Sequence, residues 1–279
     1  MELDLRPDAA TTGAMAPFAP GPLIAIAEGA LRVDIAPAAG GRIAQIRHDG
    51  AAQLIGPGDG NPAMIAWGSY PMAPWAGRVR HGRFDFDGRN HQLPLNLGEH
   101  AIHGVAFGLP WRVDAHSSRH AGLSLRLPQD ERWPFGGTLR QHLEVGDRWL
   151  RMKLSATAGA CAMPAVIGWH PWFRKPDRIE FSPSAMYPRD EEGIASYPLA
   201  PPSPGPWDDC FLNGDPVHLH RAGQIVRLTS DCSHWVVYDE TAEATCVEPQ
   251  SGPPDAFNLD PATLSPGETR EAWFLMEWL

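Results

Sequence analysis

Short runs of alternating apolar and polar residues, each closed by a turn, recur through most of the chain. Successive side chains of a strand point to opposite faces, so this period-2 pattern predicts half-buried strands. "LIAIAEGALRVDIAP" reads as two short strands around Glu28-Gly29, and "GRIAQIRHDG" as a third that stops at Asp49-Gly50. "GRFDFDGRNHQLPL" is a hairpin in which Phe84 and Phe86 share a face and Asp87-Gly88 makes the turn. "WRVDAHSSRHAGLSLRLPQD" and "TLRQHLEVGDRWLRMKLSAT" repeat the pattern, the second turning at Gly146-Asp147. Later strands are "QIVRLTS", "HWVVYDE", "ATCVE" and "EAWFLMEWL". No long helical period and no repeat of ~20–50 residues interrupts the series.

The breaks between strands are rich in the 28 glycines and 29 prolines. Residues 1–21, with Pro7, Pro17 and Pro20, read as a loose N-terminal arm, and residues 183–206 as a proline-rich connection. No shift of composition marks a second domain, so residues 22–279 are expected to form one catalytic domain. The predicted class is all-β, a large antiparallel β-sandwich with its longer loops gathered on one side. A chain of 279 residues with 43% hydrophobic content supports such a core.

A formal charge of −10 without a cluster of Lys or Arg argues against a nucleic-acid partner and favours a small neutral one. Cys161, Cys210, Cys232 and Cys246 show neither a CxxC pair nor disulfide-like spacing, as expected of reduced thiols. The start "MELDLRPDAA" lacks the basic and apolar segments of a signal peptide, and no apolar run approaches the ~18 residues of a membrane span. The expected setting is cytoplasmic, with no membrane contact.

Nucleophile elbow, P-loop, dinucleotide fingerprint and H-E-x-x-H are all absent. His218-x-His220 places two imidazoles on one strand face, but a stable metal site normally needs three or four ligands, so two exposed histidines is the plainer reading. Four other stretches set polar groups beside aromatics in segments that look too rich in Gly and Pro for ordinary strands. "YPMAPWAGRVRHGRF" holds Arg78 and "HAIHGVAFGLPW" holds His103. "VIGWHPWFRK" holds His170 between two tryptophans, and "GPWDDCF" holds Asp208 and Asp209. Aromatic walls with a few polar groups suit a sugar, whose C–H face packs on rings while its hydroxyls form hydrogen bonds. In "CVEPQSGPPDAFN" an apolar approach delivers Glu248 to the end of a strand, where a stiff proline loop begins. A rigid frame of that kind holds a carboxylate in one geometry, as acid–base work requires. Asp255 and Asn258 are expected to tie down the same loop.

Together these segments resemble the aldose 1-epimerases, also called galactose mutarotases. "APWAGRVRHGRFDFDGRNHQLPLN", "HAIHG", "GWHPWF", "WDDCF" and "CVEPQSGPPDAFN" come in the family's order across residues 70–258, the last being the most specific. The resemblance implies a β-sandwich of the galactose mutarotase-like type with a cleft on one face. It implies that Glu248 is the general base on the anomeric hydroxyl and His170 the general acid on the ring oxygen. It also implies that Arg78, His103 and Asp208 (or its neighbour Asp209) grip hydroxyls, and that no metal or organic cofactor takes part. The expected partner is a small-molecule sugar, and the chain a monomer or homodimer.

Mutarotation asks for one base, one acid and a polar frame, since only protons move while a C–O bond breaks and reforms. Three positions depart from the family pattern: Gly77 where many members carry Asn, Val105 where a second glycine is common, and Trp169 where Asn is frequent. All three are expected to alter the cleft walls and so the choice of sugar. Two alternatives stay open. A hexose-6-phosphate 1-epimerase would need cations such as Arg80, Arg83, Arg174 or Lys175 near the phosphate. A non-catalytic sugar-binding or sensor protein would not need both Glu248 and His170.

Overall fold

The computed structural model describes residues 13–279, and two antiparallel sheets carry most of them. The larger has ten strands. It runs Ile24–Glu28, Leu31–Ala36, Arg42–His48, Ser69–Met72, Gly168–Arg174, Ala244–Gln250, His234–Tyr238, Asp208–Leu212 and Ala185–Tyr187, with Ala51–Ala52 paired beside Arg42–His48. The eight-stranded sheet runs Arg112–His116, His120–Arg126, Thr138–Gly146, Trp149–Thr157, Thr269–Trp278, Gln224–Ser230, Val217–Arg221 and Arg178–Glu180. The α-helix Ala256–Leu259 has only four residues. The fold is the all-β antiparallel sandwich that the alternation predicts.

The period-2 pattern sets what is buried. Leu139, Gln141, Leu143 and Val145 point inward from one strand, and Leu150, Met152, Leu154 and Ala156 from its neighbour, while the residues between them face outward. Between the sheets, Phe274 of the smaller one meets Trp169 and Trp235 of the larger at ring-centroid distances of 5.9 and 6.1 Å. Each such large apolar side chain contributes about 1.5–3 kcal/mol by leaving water.

Three expectations need correction. Residues 1–12 of the expected arm lie outside the described residues, but its remainder is not loose: Ala14 is fully buried and bonded to Asn96, and Pro17 bridges to Ala63. "GWHPWF" and "DDCF" are strands, the first of them in the middle of the larger sheet. The strand of Glu248 does not stop there but continues through Pro249 to Gln250. Proline is compatible with these central positions because the ladder between the two strands lapses around it. Trp172 pairs with Cys246 and Gly168 with Gln250, with no pairing between. Pro171 and Pro249 both fall in that gap, and neither offers an N–H. Within the proline-rich connection, Ala185–Tyr187 forms the last strand of the larger sheet.

Candidate active site

The register that brackets the gap sets His170 directly opposite Glu248. On that row Tyr70 pairs with His170 on one side, and Val236 with Glu248 on the other. Alternation then sorts the His170 strand: Trp169 and Phe173 enter the inter-sheet core, while His170 and Trp172 face the opposite side. That side is the floor of a cleft of about 780 Å³, and Arg78, His103, His170, Asp208 and Glu248 all line it.

His170 and Glu248 meet at 3.1 Å, Nε2 to Oε1, and are 5% and 2% exposed. Burial dominates both. It raises the proton affinity of Glu248 well above the ordinary carboxylate value, reinforced by the charge of Asp208 and opposed by the Gln250 hydrogen bond and Arg78. It lowers His170 to about 3, with the buried Arg42 guanidinium pushing further in the same direction. The contact pulls the other way, since a carboxylate and an imidazole at this distance share a proton well. Among the described residues, Nδ1 of His170 has no hydrogen-bond partner. The ring is walled by Tyr70 and Trp172, near-parallel at 4.8 and 5.4 Å.

Arg78 begins the two-residue strand Arg78–Val79, paired with Ala101–Ile102, and His103 follows directly. His103 sits in the left-handed region at φ 60°, ahead of Gly104 at φ 75°. A Cβ on Gly104 would lie 1.9 Å from the Ala73 carbonyl, so only glycine allows the approach. His103 Nδ1 accepts from the Gly77 N–H at 3.3 Å, which leaves Nε2 as the protonated nitrogen. Burial, then the charges of His170 and Arg78, keep this imidazole neutral. The ring stands edge-on to His170 at 4.9 Å.

Asp208 shares its strand face with Cys210, another cleft residue, and burial raises its proton affinity while Arg78 and Arg189 moderate the rise. Arg189 donates to Asp208 Oδ2 at 2.7 Å and approaches Asp209 Oδ1 at 3.3 Å. Both carboxylates therefore border the cleft, and Asp208 is the one whose charge reaches Glu248. Asp255 accepts from the Arg80 N–H at 2.9 Å and from Asn258 at 2.7 Å, as expected of a loop tie.

Four neighbours escape the sequence reading. Gln250 donates to Glu248 Oε2 at 3.1 Å, and its i+2 spacing from Glu248 on a strand was the signal available. Arg189 comes from the proline-rich connection and has no local signal. Tyr70 stacks on His170, and Arg42 lies behind it, 4.9 Å from the Tyr70 ring. Arg42 is fully buried and satisfied by the carbonyls of Ala39, Met64, Trp67 and Phe107, and burial lowers its pKa to about 9.

Two of the three departures do not wall the cleft. Trp169 is wholly buried in the core and bonds Gln141, and Val105 packs against that core too. Gly77 does line the cleft, at φ 67°, where a Cβ would come within 2.7 Å of Pro254. His218 and His220 share a face, as expected, but lie beside Glu180 at 3.7 and 3.1 Å and do not line the cleft.

The sequence model of the family described as Aldose 1-epimerase matches residues 22–277. Among curated relatives, the Escherichia coli K12 protein called uncharacterized protein YphB is 26% identical over 91% of this chain and 98% of its own. Among solved structures, a galactose mutarotase-like protein from Clostridium acetobutylicum superposes with a TM-score of 0.82 at 15% identity, covering 92% of this chain and 95% of that one. A galactose 1-epimerase from Lactobacillus acidophilus gives 0.77 at 18% identity, covering 92% and 94%. These likenesses identify the sandwich as galactose mutarotase-like. Among the described residues no helix is long and apolar enough to cross a membrane.

Proposed function

The chain belongs to the aldose 1-epimerase family, and we propose that it interconverts the α and β anomers of a free, uncharged aldose in the cytoplasm without a cofactor. The observation that carries this reading is the buried pair His170–Glu248, 3.1 Å apart on the floor of a cleft that Arg78, His103 and Asp208 also line. In the proposed reaction Glu248 takes the proton of the anomeric hydroxyl. The C1–O5 bond breaks as His170 delivers its proton to O5. Rotation about C1–C2 presents the other aldehyde face, and the same transfers run backwards to close the ring. No electron changes hands, and each proton transfer contributes ~10²–10⁴-fold.

Arg78 supplies fixed donors to sugar oxygens, His103 offers its Nε2–H, and Asp208 accepts from hydroxyls. Gln250 adds a side-chain oxygen that has no partner among the described residues. Charge favours an unphosphorylated substrate. Among the described residues, Arg78 and Arg189 are the two arginines of the lining, and Arg189 is committed to Asp208 and Asp209. Asp59, Glu240 and Glu243 also line the cleft. The cations a phosphate would need are engaged elsewhere: Arg80 with Asp190 and Glu192, Arg83 with Gln92, Arg174 with Asp59, and Lys175 with Asp239.

The test is relaxation of freshly dissolved α-anomers, followed by polarimetry or NMR exchange over a panel of aldoses and their 6-phosphates. Acceleration of at least one free aldose, above that of its phosphate, is the expected result. Calorimetric binding of a sugar without acceleration would replace this reading with a sensor; preference for the phosphate would replace the substrate.

A further inference from the structure

We propose that the cleft floor also binds a thiophilic divalent cation, zinc foremost, through Cys246, His170 and Glu248, and that the bound ion silences the site. The binding stands on geometry alone, while the silencing rests on the catalytic reading above. Cys246 lies two residues before Glu248 on the same strand and so shares its face. One ligand atom from each of the three residues lies within 4.8 Å of the other two, and all three residues are buried.

Three points that close share a centre within ~2.8 Å of each, whereas zinc takes sulfur at ~2.3 Å, nitrogen at ~2.0–2.1 Å and carboxylate oxygen at ~2.0–2.2 Å. The side chains must therefore close in by less than ~1 Å. Sulfur, imidazole and carboxylate are a zinc donor set, and three protein ligands leave a fourth position open. Glu248 and His170 line the cleft while Cys246 is wholly buried, so the ion enters from the sugar's side. Magnesium and calcium prefer all-oxygen sites and suit this trio poorly.

Binding breaks the thiol S–H bond, its proton leaving to solvent, and a sulfur–metal bond forms. Nε2 of His170 and Oε1 of Glu248 exchange their mutual hydrogen bond for the metal, and the proton of that bond also leaves to solvent. These are the atoms that the proposed reaction needs, so cation and sugar exclude each other. A resident zinc normally has each histidine anchored through its second ring nitrogen, and His170 Nδ1 has no such partner. The site is accordingly built for reversible occupancy rather than for a permanent metal.

Cobalt(II) titration of the Cys161→Ser protein, which lacks the exposed thiol, tests this directly. A thiolate-to-cobalt charge-transfer band in the near ultraviolet is expected, displaced by zinc and lost when Cys246→Ser is added. In turnover, zinc should compete with sugar, and Cys246→Ser should raise the half-inhibitory concentration by at least the ~10–100-fold typical of losing outer metal support. Metal-free turnover should persist, since Cys246 takes no part in the proposed proton transfers. No band in the Cys161→Ser protein, or an unchanged band after Cys246→Ser, overturns the proposal. A protein that shows the Cys246-dependent band but accelerates no aldose keeps the site and loses the reaction assignment. Should Cys246→Ser fail to fold, Cys246→Ala takes its place, and the band in the parent protein remains decisive.

Discussion

Glu248→Gln should inactivate the protein and stabilise it at the same time. Glu248 is 2% exposed, and burial, then Asp208, hold its proton affinity well above the ordinary value of 4.5. In the unfolded chain the carboxyl loses its proton near that ordinary value; in the fold it keeps it to higher pH. Between the two, the folded state binds more protons, so stability falls as pH rises, by about 1.4 kcal/mol per pH unit. An amide of the same shape escapes that loss. Gln250 can accommodate it by turning its own amide, because its oxygen is without a partner. The advantage of Gln should vanish below pH ~4.5, grow with pH until Glu248 ionises within the fold, and then level off. For domains of this order each kcal/mol moves the Tm by ~2–4 °C, so every pH unit of the window is worth a few degrees. Melting curves of wild type and variant at pH 4, 6 and 8 measure this, beside anomer relaxation, which should drop ~10²–10⁴-fold. A Tm gap that does not change with pH, or a variant less stable at pH 8, refutes the burial argument. Near-normal relaxation removes Glu248 as the base.

Other outcomes follow from the same site. The kcat/KM profile should be bell-shaped because the buried pair needs one proton. Its acid limb should fall near 3, where His170 sits in the free protein, and its alkaline limb above the usual carboxylate range; an acid limb near the ordinary imidazole value of ~6.5 would contradict the burial of His170. Arg189→Met removes a partly exposed ion pair worth ~0.2–1 kcal/mol, so kcat/KM should drop by up to ~5-fold, mostly through KM. Arg189→Lys should recover only part, since a single ammonium nitrogen lacks the planar fork that reaches Asp208 and Asp209 from two nitrogens; full recovery would reduce Arg189 to a mere charge. Gly77→Ala drives a Cβ to 2.7 Å from Pro254 at φ 67°, and should cost about 1–3 kcal/mol; an unchanged Tm would show that the loop yields.

Alternation made most strands legible: 31–36, 83–86, 138–146 and 149–157 fall where apolar residues recur at period two, while their partners 24–28 and 89–92 were placed by the turns at Glu28-Gly29 and Asp87-Gly88. The same rule failed at "GWHPWF" because that strand is buried on both faces, so polarity does not alternate along it. Its prolines then read as breakers, when they mark only a local lapse of the ladder. The five site candidates were legible because unusual polar groups stood in apolar or aromatic settings. Arg189 and Arg42 were not, since each acts on groups far away in sequence and neither has a distinctive neighbourhood of its own. Trp169 misled because a residue next to a site histidine looks like wall, while the pleat sends adjacent side chains to opposite faces.

The pleat and the prolines together bear on the chemistry. A pair that spans two central strands is held more rigidly than one carried on loops. The reaction assigned to that pair nevertheless needs its charged form, Glu248 ionised and His170 protonated, while burial drives each toward neutrality. Between their two titrations the pair holds one proton, and each pH unit separating them makes the working arrangement of that proton about tenfold rarer. What offsets this is the 3.1 Å contact of the pair itself together with the charges around it. Arg42 stands on the wrong side, disfavouring a protonated His170, but Arg78 favours the ionised Glu248. On these assignments Arg78 has two tasks, gripping hydroxyls and holding the base ready. Asp208 opposes the second through its own negative charge. Arg189, reaching in from the proline-rich connection, pairs with Asp208 at 2.7 Å and favours that negative charge, so the charge on Asp208 opposing Glu248 is one the fold sustains.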